Sequence, residues 1–387
     1  MAVRKEKDYL IDIAARHKYR NQTEAYHKKY LEWRTDPKNP FGYKFVHDSR
    51  VRTYVDGEGF LEETPLANER TALVNCYRVM GAALLIMAAV AFVKLIVMQL
   101  LFAIPNGGRL YRPRDGETVM MISDSAAYTL LTLNILEYIL PIFFIKAATR
   151  LPRKIAVPLR KSLNISSTNA VMMMLVIMAI GRVVNGVIAE LLFKIKLDIP
   201  YYDYIRPTGT TATVICGLGQ HVIVAIFIEV LFRGYLLQMF RQFGDSLAII
   251  VTSIAGCLTL YDISQAGYLF CVGIFIGTVT IRSGSIKNAC IMRIIARFLN
   301  YLLSFLPELV GEFWGKVAEL SACILIMFTA LIVYMRLNSR QRWSFDVSRS
   351  GTYLTLSAKL RQLLVSPLIW MWIVTALAMS VLLVRIV

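Results

Sequence analysis

The sequence predicts an all-α protein, a polytopic membrane helix bundle that crosses a bilayer about eight to nine times. Hydrophobic residues make up 56% of the chain and the mean hydropathy over its full length is +0.54. A soluble protein of this size rarely has such a composition. Spanning strands are excluded, because no ten-residue alternation of apolar and polar residues is present and lipid requires each backbone polar group to be bonded internally.

The first 77 residues are predicted to form a basic cytoplasmic segment, because no apolar core follows the first lysines and arginines as a secretory signal would require. These cations either form a solvated face or attract anionic headgroups, at about 1 kcal/mol per charge near the surface. Tyr26, Tyr30 and Trp33 suit a membrane interface or RNA, but no nucleic-acid motif is present and we expect no nucleic-acid partner.

About nine mostly apolar stretches approach the roughly 20 residues needed to span the hydrocarbon. They are centred near Leu85, Ile135, Leu175, Val224, Ile250, Ile274, Ile295, Phe328 and Thr375. The stretches near Ile250 and Ile274 are short and could pack inside the bundle. We therefore divide the chain after the N-terminal segment into N-terminal spans (78–200), a central core (201–305) and C-terminal spans with a basic cytoplasmic loop (306–387).

Lysine and arginine collect in the loops after the second and eighth spans, within 146–161 and 336–361. Basic loops resist translocation, so both should face the cytoplasm. Nine alternating spans then place the N-terminus in the cytoplasm and the C-terminus outside, in a multi-pass protein of the cell membrane.

The stretch Ile228-Glu229-Val230-Leu231-Phe232-Arg233-Gly234-Tyr235-Leu236 is the most informative motif. It resembles the Glu-Glu-x-x-x-Arg signature of the CPBP intramembrane proteases, relatives of the CaaX prenyl endopeptidases and of bacterial immunity proteins. Glu229 and Arg233 match the second glutamate and the arginine. Ile228 stands at the first glutamate, the family's catalytic acid, and its side chain can neither accept a proton nor orient water.

The second motif of this family, Phe-x-x-x-His on the following helix, aligns with Cys257 and Tyr261. Ser253, which often precedes that motif, is in place. The resemblance covers roughly 201–305 and implies a CPBP-like core, but neither the phenylalanine nor the histidine of this motif is present.

The loop Arg282-Ser283-Gly284-Ser285 resembles the one that introduces the third motif, His-x-x-x-Asn. Without a gap this motif aligns with Arg293 and Arg297. A shift of three residues aligns Ala296 and Asn300 instead, which restores the asparagine. No alignment restores a histidine, so the positions that a water- or metal-based mechanism would use are replaced.

Other residues could have taken over the chemistry. His221 lies seven positions before Ile228 and on nearly the same helix face, but about 10 Å away along the axis. A lone histidine beside Gln220 is more often an interior hydrogen-bond partner than a ligand. Glu229 and Arg233 are spaced i, i+4, which favours a structural ion pair.

Arg293 and Arg297 require partners or water, because a charged guanidinium costs several kcal/mol inside a bilayer. Their i, i+4 spacing predicts a basic stripe that faces the bundle. Glu229 is the expected partner, with Glu190 and Asp262 as further candidates. The alternative is that the two arginines, together with the Tyr261 phenol, bind an anionic headgroup or a peptide carboxylate in the former catalytic cavity.

Two further patterns concern helix packing. Lys94 and Glu137 are predicted to pair between the first two spans. Gly273 and Gly277 form a G-x-x-x-G that permits close helix contact and predicts packing more than dimerisation.

We interpret the chain as a non-catalytic member of the family that holds a membrane protein, a lipid or a lipid-linked partner as a scaffold or regulator. One alternative is an active endopeptidase rearranged around Glu229, His221, Tyr261 and Asn300. Another is a small-molecule or lipid transporter, although no internal repeat is evident. The six cysteines show no C-x-x-C pairing, so we expect no disulfide framework, no metal site and no cofactor.

Overall fold

The computed structural model describes residues 10–12, 24–43, 46–48, 65–103, 120–159, 167–194, 197–198, 205–338, 352–383 and 385–386. Helices dominate this part of the chain, as the sequence predicts. They are α1 (Glu24–Thr35), α2 (Pro65–Ala103), α3 (Asp124–Thr149), α4 (Arg153–Ala156), α5 (Ser167–Lys194), α6 (Thr210–Phe243), α7 (Asp245–Leu258), α8 (Ile263–Ser283), α9 (Ile286–Leu303), α10 (Leu306–Val310), α11 (Glu312–Asn338), α12 (Leu356–Leu363) and α13 (Pro367–Leu383).

In the described part of the chain, six short strands pair outside the helices. They are β1 (Leu10–Asp12), β2 (Val46–Asp48), β3 (Met120–Ile122), β4 (Leu197–Asp198), β5 (Ile205–Pro207) and β6 (Arg385–Ile386). The pairs β1–β2 and β4–β6 are antiparallel, and β3–β5 is parallel. The parallel pair ties the chain just before α3 to the chain just before α6, so these two helices start at the same end of the bundle.

Within the described residues, six helices are long and apolar enough to cross a membrane, namely α2, α3, α5, α6, α8 and α11. The bent pair α12 and α13, at 70°, makes a seventh if it counts as one span. The described part of the chain is therefore that of a multi-pass membrane protein, with six or seven candidate spans against the eight to nine predicted for the full sequence. The stretch near Ile250 forms α7, whose 14 residues reach only about 21 Å. The stretch near Ile295 forms α9, which carries three charges.

The aromatic residues of the N-terminal segment pack against one end of the bundle. Tyr26 and Tyr30 donate their hydroxyls to the side-chain and backbone oxygens of Gln238, and the Trp33 indole donates to the carbonyl of Thr149 at 2.8 Å. All three rings are buried. They are therefore occupied by the protein's own helices, and neither RNA nor a membrane interface is needed to explain them.

The two largest hydrophobic cores among the described residues hold the helices together. The larger lies between α1, α2, α3, α6 and α7, and the smaller between α5, α8 and α9. The helices α6 to α9 form the centre of the bundle, with α7 packed along α8 and α9 packed along α6. The peripheral helix α11 packs on α5 and keeps many large apolar side chains exposed, as expected of a surface that faces lipid.

The predicted G-x-x-x-G on α8 is a site of close packing against α7. A Cβ added at Gly273 would lie 2.8 Å from the Ser253 Cβ and 3.1 Å from the Arg233 Nη2, and one at Gly277 would lie 3.3 Å from the Ile249 Cγ2. The two glycines therefore let α8 approach α7 and the arginine behind it.

We expect Gly273→Ala to lower the free energy of unfolding by about 1–3 kcal/mol, because the added methyl group must displace the neighbouring serine and arginine side chains. Gly267 is the matched control, since it lies on the same helix and an added Cβ would meet nothing within 4 Å. Alanine there should leave the stability unchanged or slightly raised. Thermal unfolding of both variants in detergent checks this, and equal midpoints would contradict the packing described.

Candidate binding cavity

A cavity of about 340 Å³ lies at the centre of the bundle. It is enclosed by α2, α3, α6, α7, α8, α9 and α13 and by the turn between α7 and α8, and it reaches the bundle end that carries β3 and β5. Its polar side chains include Lys94, Asn134, Glu137, Tyr138, Thr213, Gln220, His221, Arg233, Ser253, Thr259, Tyr261, Asp262, Gln265, Tyr268, Arg293, Arg297, Asn300 and Tyr301. Such a concentration of polar groups inside a membrane bundle marks a candidate functional site.

Two π-helical turns in α6 place its polar side chains at this cavity. Gly219–Ile223 contains His221 and Val230–Leu236 contains Arg233. A π turn shifts the following side chains around the helix axis, and such turns occur often at functional sites. The 3.6-residue period used to relate His221 to Ile228 therefore does not hold across the first of them.

Glu229 lies behind the cavity wall between two arginines. Arg293 Nε donates to Glu229 Oε1 at 2.6 Å, and Arg233 Nε lies 3.8 Å from Oε2. The Glu229 side chain is 0% exposed and does not line the cavity. Arg233 also donates from Nη1 to the hydroxyl of Thr252 at 2.5 Å. The predicted pairing of Glu229 with Arg293 is present, and the carboxylate is committed to two cations.

The second arginine of the predicted stripe has no such partner. Arg297 lines the cavity, half-buried, and makes no ion pair or hydrogen bond among the described residues. The expectation that Glu190 or Asp262 would neutralise it is wrong. Glu190 lies exposed near the end of α5, and Asp262 accepts a hydrogen bond from Gln265 at 2.8 Å. One uncompensated cation therefore faces the interior.

Asn300, the residue that the shifted alignment of the third motif restores, is engaged elsewhere. Arg182 donates from Nη1 to both the carbonyl and the side-chain oxygen of Asn300 at 3.2 Å, and from Nε to Glu319 at 2.5 Å. This cluster joins α5, α9 and α11. Asn300 lines the cavity, but its acceptor oxygen is already used by a structural arginine.

His221 and Tyr261 lie at the cavity with unpaired polar atoms. The His221 ring stacks on Tyr301 with 4.4 Å between centroids, and its Nδ1 has no hydrogen-bond partner among the residues that the structure describes. The Tyr261 hydroxyl also has none, although the residue is only 6% exposed. Tyr261 has φ = +55°, a conformation rare for a bulky residue, which places its ring toward the cavity. Strain of this kind is found often at functional sites.

A chain of hydrogen-bonded polar side chains links α2, α3 and α6 at the cavity wall. Lys94 donates to Glu137 at 2.6 Å and to Asn134 at 2.7 Å, and Asn134 donates to Gln220 at 3.0 Å. The predicted Lys94–Glu137 pair is thus present. Because it balances its own charge, it adds no net charge to the cavity.

Most residues selected from the sequence lie around this one cavity. Seven of them line it, namely His221, Ile228, Arg233, Tyr261, Arg293, Arg297 and Asn300. Glu229 lies directly behind the wall. Cys257 does not line the cavity and donates its thiol to the carbonyl of Ile254 within its own helix.

Among the polar lining residues that the motifs do not mark, three carry a readable signal in the sequence. Tyr301 is four residues after Arg297 and Asn134 is three before Glu137, so helical spacing alone puts each pair on one face. Gln220 adjoins His221. Tyr268 has no comparable signal, since only the fold brings it to the cavity.

The cavity offers cations and neutral donors, while its carboxylates are already bonded. Glu137 pairs with Lys94, and Asp262 accepts from Gln265. Ile228 stands at the first position of the Glu-Glu-x-x-x-Arg pattern, and the acid beside it, Glu229, is buried in ion pairs. This arrangement suits binding of a polar or anionic group better than activation of water, which needs a free proton acceptor within hydrogen-bond reach.

Comparison with known families supports the resemblance read from the motifs. Residues 210–299 match the family model described as type II CAAX prenyl endopeptidase Rce1-like. The match runs from the start of α6 through most of α9, and it includes every motif position named above except Asn300. No curated protein and no solved structure gives a significant match to the chain.

Proposed function

We propose that this multi-pass membrane protein, similar over α6–α9 to the Rce1-like CAAX endopeptidases, is a non-catalytic binding protein. Its cavity holds a lipid or a lipid-linked membrane partner, and the protein acts as a scaffold or regulator. The protein lies in the cell membrane, and its N-terminus is in the cytoplasm. The observation that carries the proposal is the burial of Glu229 between Arg233 and Arg293, beside an isoleucine at the catalytic position.

The chemical reason is the fate of the Glu229 carboxylate. A general base must reach the water that it deprotonates, and it must be free to take up the proton. Glu229 is excluded from the cavity and accepts a hydrogen bond from a guanidinium at 2.6 Å. Protonating it would leave the buried Arg233 and the partly buried Arg293 without a counter-charge, which the low-dielectric interior disfavours.

Cleavage assays test the proposal. We expect the purified full-length protein in liposomes to leave farnesylated CAAX-ending peptides intact over hours, while an active Rce1-like endopeptidase cleaves them in the same assay. The readout is product formation by mass spectrometry. Cleavage above the level of empty liposomes that disappears in a folded His221→Asn or Tyr261→Phe variant would overturn the proposal.

An active endopeptidase with a rearranged site is the second candidate, and one observation favours it. His221 and Tyr261 face the same cavity with unpaired polar atoms, so an imidazole and a phenol are available there. In that case His221 would be the base, and the cleavage assay with His221→Asn separates the two functions directly.

A further inference from the structure

We infer that the cavity is a phosphate-binding site, in which Arg297 is the main cationic contact for a phosphate group carried by an amphipathic molecule or free in solution. The inference rests on the proposed binding function and names its ligand chemistry. It follows from the charge balance of the cavity, from the number of unused donors and from the apolar wall beside them.

The charge balance leaves one cation without a counter-ion. Lys94 is neutralised by Glu137, and the carboxylate of Glu229 lies against both Arg233 and Arg293. Two guanidinium groups thus share one carboxylate, and Arg297 has none among the described residues. Even with the charge of Asp262 counted, the cavity and its wall hold more positive than negative charge. An anion that enters this low-dielectric space gains more from these cations than it would in water.

The cavity has more unused hydrogen-bond donors than the two oxygens of a carboxylate could accept from. Arg293 uses only its Nε for Glu229, so its two terminal nitrogens lack a partner among the described residues. Arg297 contributes a complete guanidinium and Tyr261 a buried hydroxyl. A carboxylate presents two oxygens, whereas a phosphate monoester presents three strong acceptors that arginine forks match well. The donor set therefore favours phosphate.

An apolar surface adjoins these donors. Toward the end that carries β3 and β5, the cavity wall consists of Leu95, Met98, Leu130, Leu131 and Met379. Its volume of about 340 Å³ lies within the range of small-molecule sites. A headgroup on the arginines can thus keep the start of an aliphatic chain out of water.

Calorimetric titration of the purified full-length protein in a neutral detergent tests the inference with three probes: dodecyl phosphate, inorganic phosphate and dodecanoate. We expect dodecyl phosphate to bind more tightly than dodecanoate. Arg297→Gln should weaken it by about tenfold or more, because a charge-assisted bond is lost. Tyr261→Phe should weaken it by a few-fold, Arg297→Lys should restore part of the loss, and Arg361→Gln, an exposed arginine outside the cavity, should have no effect.

The titration with inorganic phosphate shows whether the natural ligand is a free phosphate or a lipid phosphate. Similar affinity for inorganic phosphate and dodecyl phosphate assigns the site to a free anion, and binding of dodecyl phosphate alone assigns it to a lipid phosphate. Unchanged affinity in Arg297→Gln, equal affinity for dodecanoate, or no binding of either phosphate would overturn the inference. Because Arg297 pairs with no described residue, Arg297→Gln should keep the wild-type unfolding temperature without ligand. Failure of this titration leaves the cleavage result untouched, so the two proposals fail separately.

Discussion

Replacing Glu229 with glutamine is expected to lower the free energy of unfolding by about 3–5 kcal/mol, the typical effect of removing one partner from a buried ion pair. The amide keeps the shape of the side chain and an acceptor oxygen for Arg293, so the variant removes only the negative charge. Arg233 is 2% exposed and Arg293 is 14% exposed, and neither can reach enough water to compensate. Unfolding by detergent titration in mixed micelles measures the loss.

Glu190→Gln is the control for this experiment, because Glu190 lies exposed on α5 and does not line the cavity. Its stability should stay within about 0.5 kcal/mol of the wild type. A Glu229→Gln protein as stable as this control would show that the carboxylate is not needed by the arginines, and the structural role assigned to it would fail.

Replacing Lys359 with methionine is expected to have an effect of the same size, again about 3–5 kcal/mol. Lys359 and Glu69 are each 0% exposed and lie 3.3 Å apart. The ammonium also donates to the carbonyl of Phe243 at 2.6 Å and to the hydroxyl of Thr352. These contacts join the chain around α12 to α2 and to the end of α6, so the variant should loosen the C-terminal segment first.

Limited proteolysis and thermal unfolding in detergent check this second prediction. Lys154→Met is the matched control, since Lys154 is exposed on α4. The double variant Glu69→Gln with Lys359→Met should be more stable than Lys359→Met alone, because it no longer leaves a buried carboxylate without its cation. Normal stability and protease resistance in Lys359→Met would show that this pair does not hold the segment.

The motifs and helical spacing pointed to seven residues that line one cavity, and to Glu229 behind its wall. Ile228, Glu229 and Arg233 were chosen from a family signature, and Arg293 and Arg297 from the cost of guanidinium groups in lipid. That cost also predicted the Glu229–Arg293 pair, since a buried arginine requires an acid and α6 offers one. For Arg293 and Glu229, the local sequence and the cost of an unpaired guanidinium in lipid both indicate the same ion pair.

The sequence was less informative where tertiary packing decides the environment of a charge. Lys359 and Arg34 were counted as basic residues of cytoplasmic segments, but both are buried. Composition records that a lysine is present and says nothing of whether Glu69, far away in the chain, covers it. The partner of Arg182 was equally hidden, because Glu319 lies on a distant helix.

For a related reason, two of the apolar stretches predicted as spans are not among the six or seven candidate spans of the described residues. Apolar composition marked α7 and α9 as spans. A short helix such as α7 can, however, be surrounded by other helices of the bundle, and α9 directs charged side chains into the cavity. Hydropathy measures how apolar a segment is, not whether lipid or protein surrounds it.

The central claim is that the Glu229 carboxylate neutralises arginines and does not accept a proton from water. A double-mutant cycle on Glu229→Gln and Arg293→Gln, with unfolding free energy as the readout, tests it most directly. We predict that the double variant recovers at least about 1 kcal/mol relative to the sum of the single losses. Strictly additive losses would contradict the claim and return Glu229 to the list of candidate bases.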